Sequence, residues 1–192
     1  MKLVLASRNE HKVRELDELM KPHEVLPLPD EVELPPETGE TFEENALGKA
    51  RAAAQALDAV AIADDSGIEA AALGGRPGVR SARFAGEDAT DQENLDKLLA
   101  DVPAGGDTRV AYVCALVAVW PDGRELVTEA RCEGHLDHEP RGDGGFGYDP
   151  AFVPVDYDDG RTMAELSPTE KDAISHRGRA ARQLLELLTS AG

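Results

Sequence analysis

Short apolar runs alternate with longer amphipathic stretches along the chain, which is typical of an α/β protein. The runs at residues 2–6, 23–28 and 59–63 predict strands. Apolar residues at helical spacing predict a helix after residue 12, and an alanine-rich stretch predicts a longer helix that ends near residue 57. We find no internal repeat and no interdomain linker, so we expect one domain over residues 1–192.

Four sequences of the form Ser/Thr-x-x-Glu predict helix starts, because the hydroxyl and the glutamate can cap the first turn reciprocally. They begin at Thr41, Ser66, Thr90 and Ser167 and end at Glu44, Glu69, Glu93 and Glu170. Asn9 is predicted to cap the first helix. This pattern, called a capping box, predicts at Ser66 a helical turn directly after the strand at residues 59–63.

Two strand-like segments, residues 109–120 and 125–136, are joined by Pro121-Asp-Gly123. These three residues favour a tight turn, so the segments predict an antiparallel hairpin. The earlier strands alternate with helices and should be parallel. The predicted fold is therefore α/β, with a mixed twisted sheet and flanking helices.

Asp64 and Asp65 follow the run at residues 59–63, where that strand should end. Ligands of open α/β sheets gather outside the carboxyl ends of strands. One carboxylate could hold a hard cation, while the other shares that cation or takes a proton from water. An isolated Asp-Asp-Ser-Gly sequence is more often a polar turn, so the rest of the chain decides between the two interpretations.

The first strand, the polar turn at residues 7–12 and the first helix form a phosphate site in principle, because free backbone N–H groups and the helix dipole favour an anion. Lys12 could fold back onto that anion. Lys49 shares one face of the second helix with Asn45, where a solvated polar stripe is the alternative.

The net charge of -18 argues against general binding to nucleic acid, which needs a basic surface. Any polyanionic substrate must be met by local positive charge or by metal. Arg76, Arg80 and Arg83 form a local basic patch that could contact phosphate, a neighbouring subunit or surface carboxylates. The acidity itself could mark a salt-adapted host or simply a soluble acidic protein.

The stretch at residues 140–150 combines glycines with Phe146 and Tyr148. It would let the backbone approach a flat ligand on which an aromatic ring stacks, or it is a surface loop with one aromatic tucked inward. Lys171 and the pair His176 and Arg177 suggest an anion or a carbonyl-rich base as ligand.

With only two cysteines we expect no zinc site, and we expect Cys114, which lies in an apolar run, to be a core residue. The N-terminus leads directly into a strand, and no apolar stretch reaches membrane-spanning length. We therefore expect no membrane partner, and a reducing cytoplasm is the expected location.

Taken together, six stretches resemble the inosine triphosphate pyrophosphatase family, which acts on non-canonical purine nucleoside triphosphates. They cover almost the whole chain in the family's order. They are residues 7–12, residues 37–45 with Lys49, residues 63–67, residues 73–78, residues 144–150, and residues 166–171 with residues 175–177.

The resemblance implies a magnesium-dependent, cytoplasmic homodimer that cleaves ITP, dITP and XTP between the α and β phosphates. It also implies two lobes around a central cleft that holds the active site. Asp65 would be the general base, and Glu37, Asp64 and Asp65 would bind Mg²⁺.

The resemblance further implies which residues bind the substrate. Ser7, Asn9, Lys12 and Lys49 would hold the triphosphate. Lys171, His176 and Arg177 would donate to the 6-oxo group of the base, with Phe146 stacking on it and Asp149 reaching its edge or ordering the loop. The family's substrate-binding segments also include Arg8, Glu10, His11, Ser66, Gly147 and Tyr148.

Three alternatives stay open. A phosphatase would use the same metal and lysines to remove the terminal phosphate. A related pyrophosphatase would act on modified pyrimidine or methylated nucleotides. A regulatory module would only bind a nucleotide, although an acidic pair beside a phosphate site gives such a module little advantage.

Overall fold

The computed structural model describes residues 1–190, which contain six strands and five α-helices. The strands are β1 (Lys2–Leu5), β2 (Glu24–Leu26), β3 (Ala61–Ala70), β4 (Arg109–Val119), β5 (Glu125–Leu136) and β6 (Phe152–Pro154). The helices are α1 (Glu10–Leu19), α2 (Phe42–Leu57), α3 (Asp91–Asp101), α4 (Pro168–Ile174) and α5 (His176–Ser190). Short 3-10 helices connect several of these elements.

The strands form one sheet in the order β2-β1-β3-β4-β5-β6. Strand β1 pairs in parallel with β2 and with β3, whereas β5 and β6 are antiparallel. The predicted mixed α/β sheet is therefore confirmed. Strands β4 and β5 are neighbours in the sheet and are joined by the predicted turn, where the Gly123 amide donates to the Trp120 carbonyl at 3.0 Å.

The chain forms two compact units, each built from separated segments and each with its own apolar core. The first unit contains Met1–Asp65, Cys114–Ala130 and the described chain from Arg177 onward. The second contains Ser66–Val113 and Arg131–His176. The first core includes Leu3, Leu5, Leu16, Ile62, Leu116 and Leu184, and the second includes Ile68, Leu95, Leu98, Tyr112, Phe152 and Met163.

The predicted helical turn at Ser66 is wrong, because β3 continues through this sequence to Ala70. Asp64 and Asp65 consequently lie within a strand and not at its end. Ile68 is buried in the second core and its amide donates to Ser81 Oγ at 2.8 Å, while Glu69 accepts from Arg131 at 2.8 Å. These partners, distant along the chain, stabilise an extended conformation over the local capping pattern.

The other three capping boxes are confirmed at Thr41, Thr90 and Ser167, as is the N-cap at Asn9. The C-terminal helical region is divided, because Ser175 has extended backbone angles between α4 and α5. Strand β6 was not predicted, since three residues are too few for a periodic pattern. No helix among residues 1–190 combines the length and the apolar character needed to span a membrane.

Candidate active site

The carboxylate of Asp64 is the centre of a buried ionic cluster in the first unit. Lys12 Nζ lies 3.0 Å from Asp64 Oδ2, and two nitrogens of Arg177 lie 3.1 Å from the same oxygen. Arg177 also binds Glu15 at 2.7 Å. The Asp64 side chain is fully buried. Strand β3, the start of α1 and the start of α5 thus bring together residues that are far apart in the sequence.

These cations determine the protonation of Asp64. Burial alone would raise the pKa of Asp64, but the charges of Lys12, Arg177 and Lys49 outweigh it and hold that pKa well below its ordinary value. Conversely, the pKa of the Arg177 guanidinium is raised, because the attraction of Asp64 and Glu15 exceeds the effect of its burial. Asp64 is therefore a fixed negative charge.

Asp65 has the opposite electrostatic character. Its pKa is raised above the ordinary 3.8, first because it is buried and then because Glu37 is near, although Lys49 and the hydrogen bond from Asn45 act against this. Asn45 Nδ2 donates to Asp65 Oδ2 at 2.9 Å. Adjacent carboxylates are thus differentiated, one held ionised and one made more basic, which is a common arrangement in acid–base sites.

Lys49 connects the acidic loop after β2 to strand β3. Its Nζ donates to Glu37 Oε1 at 2.6 Å and to the Asp64 carbonyl at 2.9 Å. Burial would lower the pKa of Lys49, but Asp64, Glu37 and Asp65 together raise it, so this lysine is charged. Asn45 also accepts from the Gly39 amide at 2.8 Å, and this bond fixes the same loop next to Asp65.

The β1–α1 turn presents the other predicted phosphate-binding residues. Asn9 Oδ1 caps the helix by accepting from the amides of His11 and Lys12, and Ser7 Oγ accepts from the Asn9 amide. Glu10 is the first residue of α1. The guanidinium of Arg8 donates to the carbonyls of Asp30 and Val32, so it supports the neighbouring loop.

An open pocket of about 550 Å³ lies against this turn in the first unit. Its lining includes Ser7, Arg8, Glu10, Arg14 and Asp30. The two arginines of this lining are balanced by the carboxylates of Glu10 and Asp30, so the Ser7 hydroxyl and the free amides at the start of α1 are the groups suited to an anion. The turn therefore has both the space and the chemistry for a phosphate.

In the second unit, the loop at residues 140–150 is organised around Asp149. This buried carboxylate accepts from Tyr112 Oη at 2.9 Å, from the Phe146 amide at 3.0 Å and from Lys171 Nζ at 2.6 Å. A Cβ on Gly145 would collide with Asp149 Oδ2, and Gly145 has a φ of +69°. Glycine is thus required where the loop backbone meets the carboxylate.

The two aromatic residues of this loop have different positions. Phe146 is 41% exposed, with Lys171 Nζ 5.2 Å from the centre of its ring. Tyr148 is buried and donates to the Ser81 carbonyl at 2.6 Å. The Gly147 amide donates to Asp91 at 3.0 Å. Of the two aromatic rings, Phe146 is accessible to a ligand and Tyr148 is the one tucked inward.

His176 and Arg177 are adjacent but have different surroundings. The His176 ring stacks on Tyr112 in the second unit, with ring centres 4.7 Å apart. Arg177 belongs to the first unit and three of its nitrogens bind carboxylates. Ser66, the remaining predicted residue, is half-buried within β3.

No sequence pattern indicates the roles of Glu15 and Tyr112 or the orienting role of Asn45. The sequence places Asn45 only on the same helix face as Lys49. Glu15 is 162 residues from Arg177, and Tyr112 is 37 residues from Asp149. A short sequence motif cannot indicate contacts between residues so far apart in the chain.

Oxygen donors for a metal are present, although residues 1–190 contain no preformed group of three metal-binding side chains. Within the described residues, Asp64 Oδ1 is buried and has no hydrogen-bond partner, and the charge of Glu37 acts on the Asp65 carboxylate. Mg²⁺ is commonly held by one or two carboxylates together with substrate phosphates, not by a complete protein cage. These carboxylates therefore fit Mg²⁺, provided that substrate phosphates supply the other ligands.

The chain is similar to known proteins over almost its whole length. The model of the Ham1 family matches residues 3–187. The dITP/XTP pyrophosphatase of Mycobacterium tuberculosis is 49% identical over 202 aligned positions, which cover 98% of this chain and 96% of the relative. The dITP/XTP pyrophosphatase of Bacillus anthracis is 47% identical and covers 96% and 94%, respectively.

Solved structures are similar over nearly the same extent. A HAM1 protein from Coxiella burnetii has a TM-score of 0.88 at 41% identity, covering 99% of both chains. The Staphylococcus aureus Ham1 protein has a TM-score of 0.89 at 37% identity, covering 100% of both chains.

Proposed function

This chain belongs to the Ham1 family, and we propose that it hydrolyses the non-canonical purine nucleoside triphosphates ITP, dITP and XTP to the monophosphate and pyrophosphate. Relatives named dITP/XTP pyrophosphatase support the reaction class. The structural observation that carries the proposal is the buried pair Asp64 and Asp65 beside Lys12 and Lys49. A basic carboxylate can activate water, and two cations can balance charge on a polyphosphate.

In the proposed reaction, Asp65 is the general base. It takes a proton from water, the water oxygen attacks the α-phosphorus, and pyrophosphate leaves with the electron pair of the broken P–O bond. The raised pKa of Asp65 supports this role, because a more basic carboxylate accepts a proton more readily. The hydrogen bond from Asn45 holds the carboxylate in one orientation.

We assign the triphosphate to the residues around the β1–α1 turn. It brings up to four negative charges, which must be balanced in a protein of net charge -18. Lys12 and Lys49 are the cations, and Ser7, Asn9 and the amides at the start of α1 are hydrogen-bonding groups. Arg177 contributes indirectly by holding Asp64.

We propose Mg²⁺ as the metal, held by one or two of the carboxylates of Asp64, Asp65 and Glu37 together with the substrate phosphates. When bound, it would neutralise charge on the phosphates and polarise the bond that breaks. Asp64 Oδ1 supports this assignment, because it is buried and residues 1–190 give it no hydrogen-bond partner, which suits it to a cation.

Base selectivity is assigned to residues of the second unit. Hypoxanthine and xanthine carry a 6-oxo acceptor where adenine carries an amino donor. Lys171, His176 and backbone amides would donate to that oxygen, and Phe146 would stack on the ring. An unpaired buried polar group costs about 1–3 kcal/mol, or roughly a tenfold to hundredfold preference per contact. Rejection of guanine must depend on the groups that face position 2.

The homodimer and the cytoplasmic location implied by the sequence resemblance are proposals as well. Cys114 is a free, buried thiol, which supports a reducing compartment. Light scattering of the purified chain tests the dimer, and a fluorescent fusion tests the location.

Product analysis tests the reaction. ITP is incubated with the protein and Mg²⁺, with ATP and GTP in parallel and with a chelator in a further reaction. We expect IMP and pyrophosphate, little ATP turnover, and no reaction in the chelator. IDP and orthophosphate would overturn attack at the α-phosphorus. No turnover of any purine triphosphate would favour modified pyrimidines, and then a binding module.

A further inference from the structure

Asp149 has a carboxylate whose hydrogen bonds come from three different parts of the second unit. Tyr112 Oη of strand β4 donates to Oδ1, whereas the Phe146 amide and Lys171 Nζ of helix α4 donate to Oδ2. The Asp149 side chain is only 4% exposed. The carboxylate thus connects the loop that carries Phe146 to the ammonium of Lys171, and Tyr112 anchors its other oxygen.

Tyr112 makes a second contact with the candidate base-recognition residues. Its ring stacks on His176, with ring centres 4.7 Å apart and planes at 14°. The Tyr112 ring also stacks on Phe152 of β6, with ring centres 4.4 Å apart. Burial, followed by the negative charge of Asp149, raises the pKa of Tyr112 well above its ordinary value, so the hydroxyl stays a donor.

We propose that Tyr112 is a specificity-determining positioning residue. Its hydroxyl fixes the Asp149 carboxylate, which orients Lys171 and the Phe146 loop toward a purine base, and its ring fixes the plane of His176. The inference rests on the proposed function and extends it, because one buried tyrosine outside the six sequence stretches controls the orientation of three residues assigned to base recognition.

Loss of the hydroxyl would leave Asp149 Oδ1 without its buried donor. The carboxylate would then be free to rotate, and with it the Lys171 ammonium that it holds at 2.6 Å. The Lys171 ammonium can distinguish a 6-oxo base from adenine only while it is held in position. A displaced ammonium makes a poorer hydrogen bond to the 6-oxo group. A tyrosine with a purely structural role would instead lower stability without altering the choice between bases.

The test is the Tyr112→Phe variant, which keeps the ring and both stacking contacts and removes one oxygen atom. We expect the KM for ITP to rise about tenfold and the preference for ITP over ATP to fall by about the same factor, because one contact to a charged group is lost. We expect kcat at saturating ITP to change by less than about threefold, since a uniform binding contact acts on KM. Inhibition by inorganic tripolyphosphate, which has no base, should be unchanged.

Tyr157→Phe is the matched control. Tyr157 also lies in the second unit and donates to a carbonyl, that of Glu170, at 3.3 Å. It should leave KM, kcat and the preference for ITP unchanged.

A second substitution tests the same arrangement from the carboxylate that Tyr112 contacts. Asp149→Asn should reduce the preference for ITP similarly, and adding Tyr112→Phe to it should have little further effect on KM, because both changes remove the same arrangement.

The inference is overturned if a folded Tyr112→Phe protein keeps its ITP preference within about twofold, below the effect expected of one lost hydrogen bond. It is also overturned if the ITP KM and tripolyphosphate inhibition weaken equally, or if the effects of the two substitutions add fully. A wild-type protein that does not hydrolyse ITP contradicts the proposed function itself, which separates that failure from a failure of the role of Tyr112.

Discussion

Arg177 binds Asp64 through two of its guanidinium nitrogens, Nε and Nη2, each 3.1 Å from Asp64 Oδ2. Both side chains are almost fully buried, and Glu15 accepts from the third nitrogen at 2.7 Å. Taking these charges out of water is costly, and only their mutual attraction and hydrogen bonds offset that cost. Removal of one member therefore leaves the others uncompensated.

We expect Arg177→Met to destabilise the protein by about 3–5 kcal/mol, because Asp64 and Glu15 would lose their shared buried cation. Thermal or urea unfolding provides the measurement. Arg182→Met on the same helix is the control, since Arg182 is exposed. Equal stabilities of the two variants would contradict a structural role for Arg177.

Asp65→Asn should lower kcat for ITP by about 100-fold to 10,000-fold, the usual contribution of a general base. The fold should persist, because asparagine can still accept the hydrogen bond from Asn45. Asp88→Asn, an exposed substitution of the same kind, should have no effect. A near-wild-type rate for Asp65→Asn would remove the assignment of the base.

The pH dependence of the wild-type rate should report the same group. A base must be ionised, so kcat/KM should fall as pH decreases through the pKa of Asp65, which is above 3.8. This acidic limb should be absent from the residual activity of Asp65→Asn. If kcat/KM of the variant falls over the same acidic pH range as that of the wild type, the titrating group is not Asp65.

Asp65 should also affect stability with a predictable sign. Its pKa is higher in the folded protein, so the stability it contributes is present at low pH and is lost as pH rises through that pKa. At neutral pH the ionised carboxylate favours unfolding. Asp65→Asn should therefore raise Tm at pH 7, and the gain should shrink as pH approaches 4, the ordinary range of an aspartate. A lower Tm at pH 7 would contradict the direction of the pKa shift.

Phe146→Ala should weaken ITP binding by about 1–3 kcal/mol, or roughly fivefold to hundredfold, because base stacking on an aromatic ring contributes about that much. The KM for ITP and the Kd of IMP are the measurements. Val155→Ala is a matched control, since Val155 is also an exposed apolar residue of the second unit. Unchanged ITP affinity in Phe146→Ala would rule out stacking.

Gly145→Ala should reduce stability more than Gly160→Ala, although both glycines have nearly the same φ, +69° and +71°. Backbone strain of about 1–3 kcal/mol is common to both variants. At Gly145 the new Cβ collides with the carboxylate of Asp149, whereas at Gly160 no atom of the described chain beyond the two adjoining residues lies within 4 Å. The difference between the Tm values of the two variants measures the cost of the collision with Asp149. Equal Tm values would contradict such a cost.

Much of the fold was predictable because its signals are local. Three capping boxes, the N-cap at Asn9 and the bounds of α2 and β5 follow from neighbouring residues. Ser66 and Glu69 carry the same capping pattern, yet they lie in a strand. Their conformation depends on Ser81 and Arg131, which no short sequence pattern includes.

The candidate site shows the same limit. Its residue types and their order were visible in the sequence, and so were the acidic pair and the two lysines. The pairing of Arg177 with Asp64 spans 113 residues, so the sequence could not separate the surroundings of Arg177 from those of its neighbour His176. Tyr112 lies in an ordinary apolar strand, and nothing in that strand indicates a contact with Asp149.

The ionic cluster around Asp64 also has a kinetic consequence. The cluster contains three cations and four carboxylates, so it carries only one of the 18 excess negative charges. The cations are Lys12, Lys49 and Arg177, and the carboxylates are Glu15, Glu37, Asp64 and Asp65. The rest of the net negative charge lies elsewhere on the chain and repels a polyanion at long range, whereas the lysines attract it only within a few ångströms. Capture of a triphosphate should therefore speed up as salt screens that repulsion, the reverse of the salt dependence of electrostatically steered enzymes.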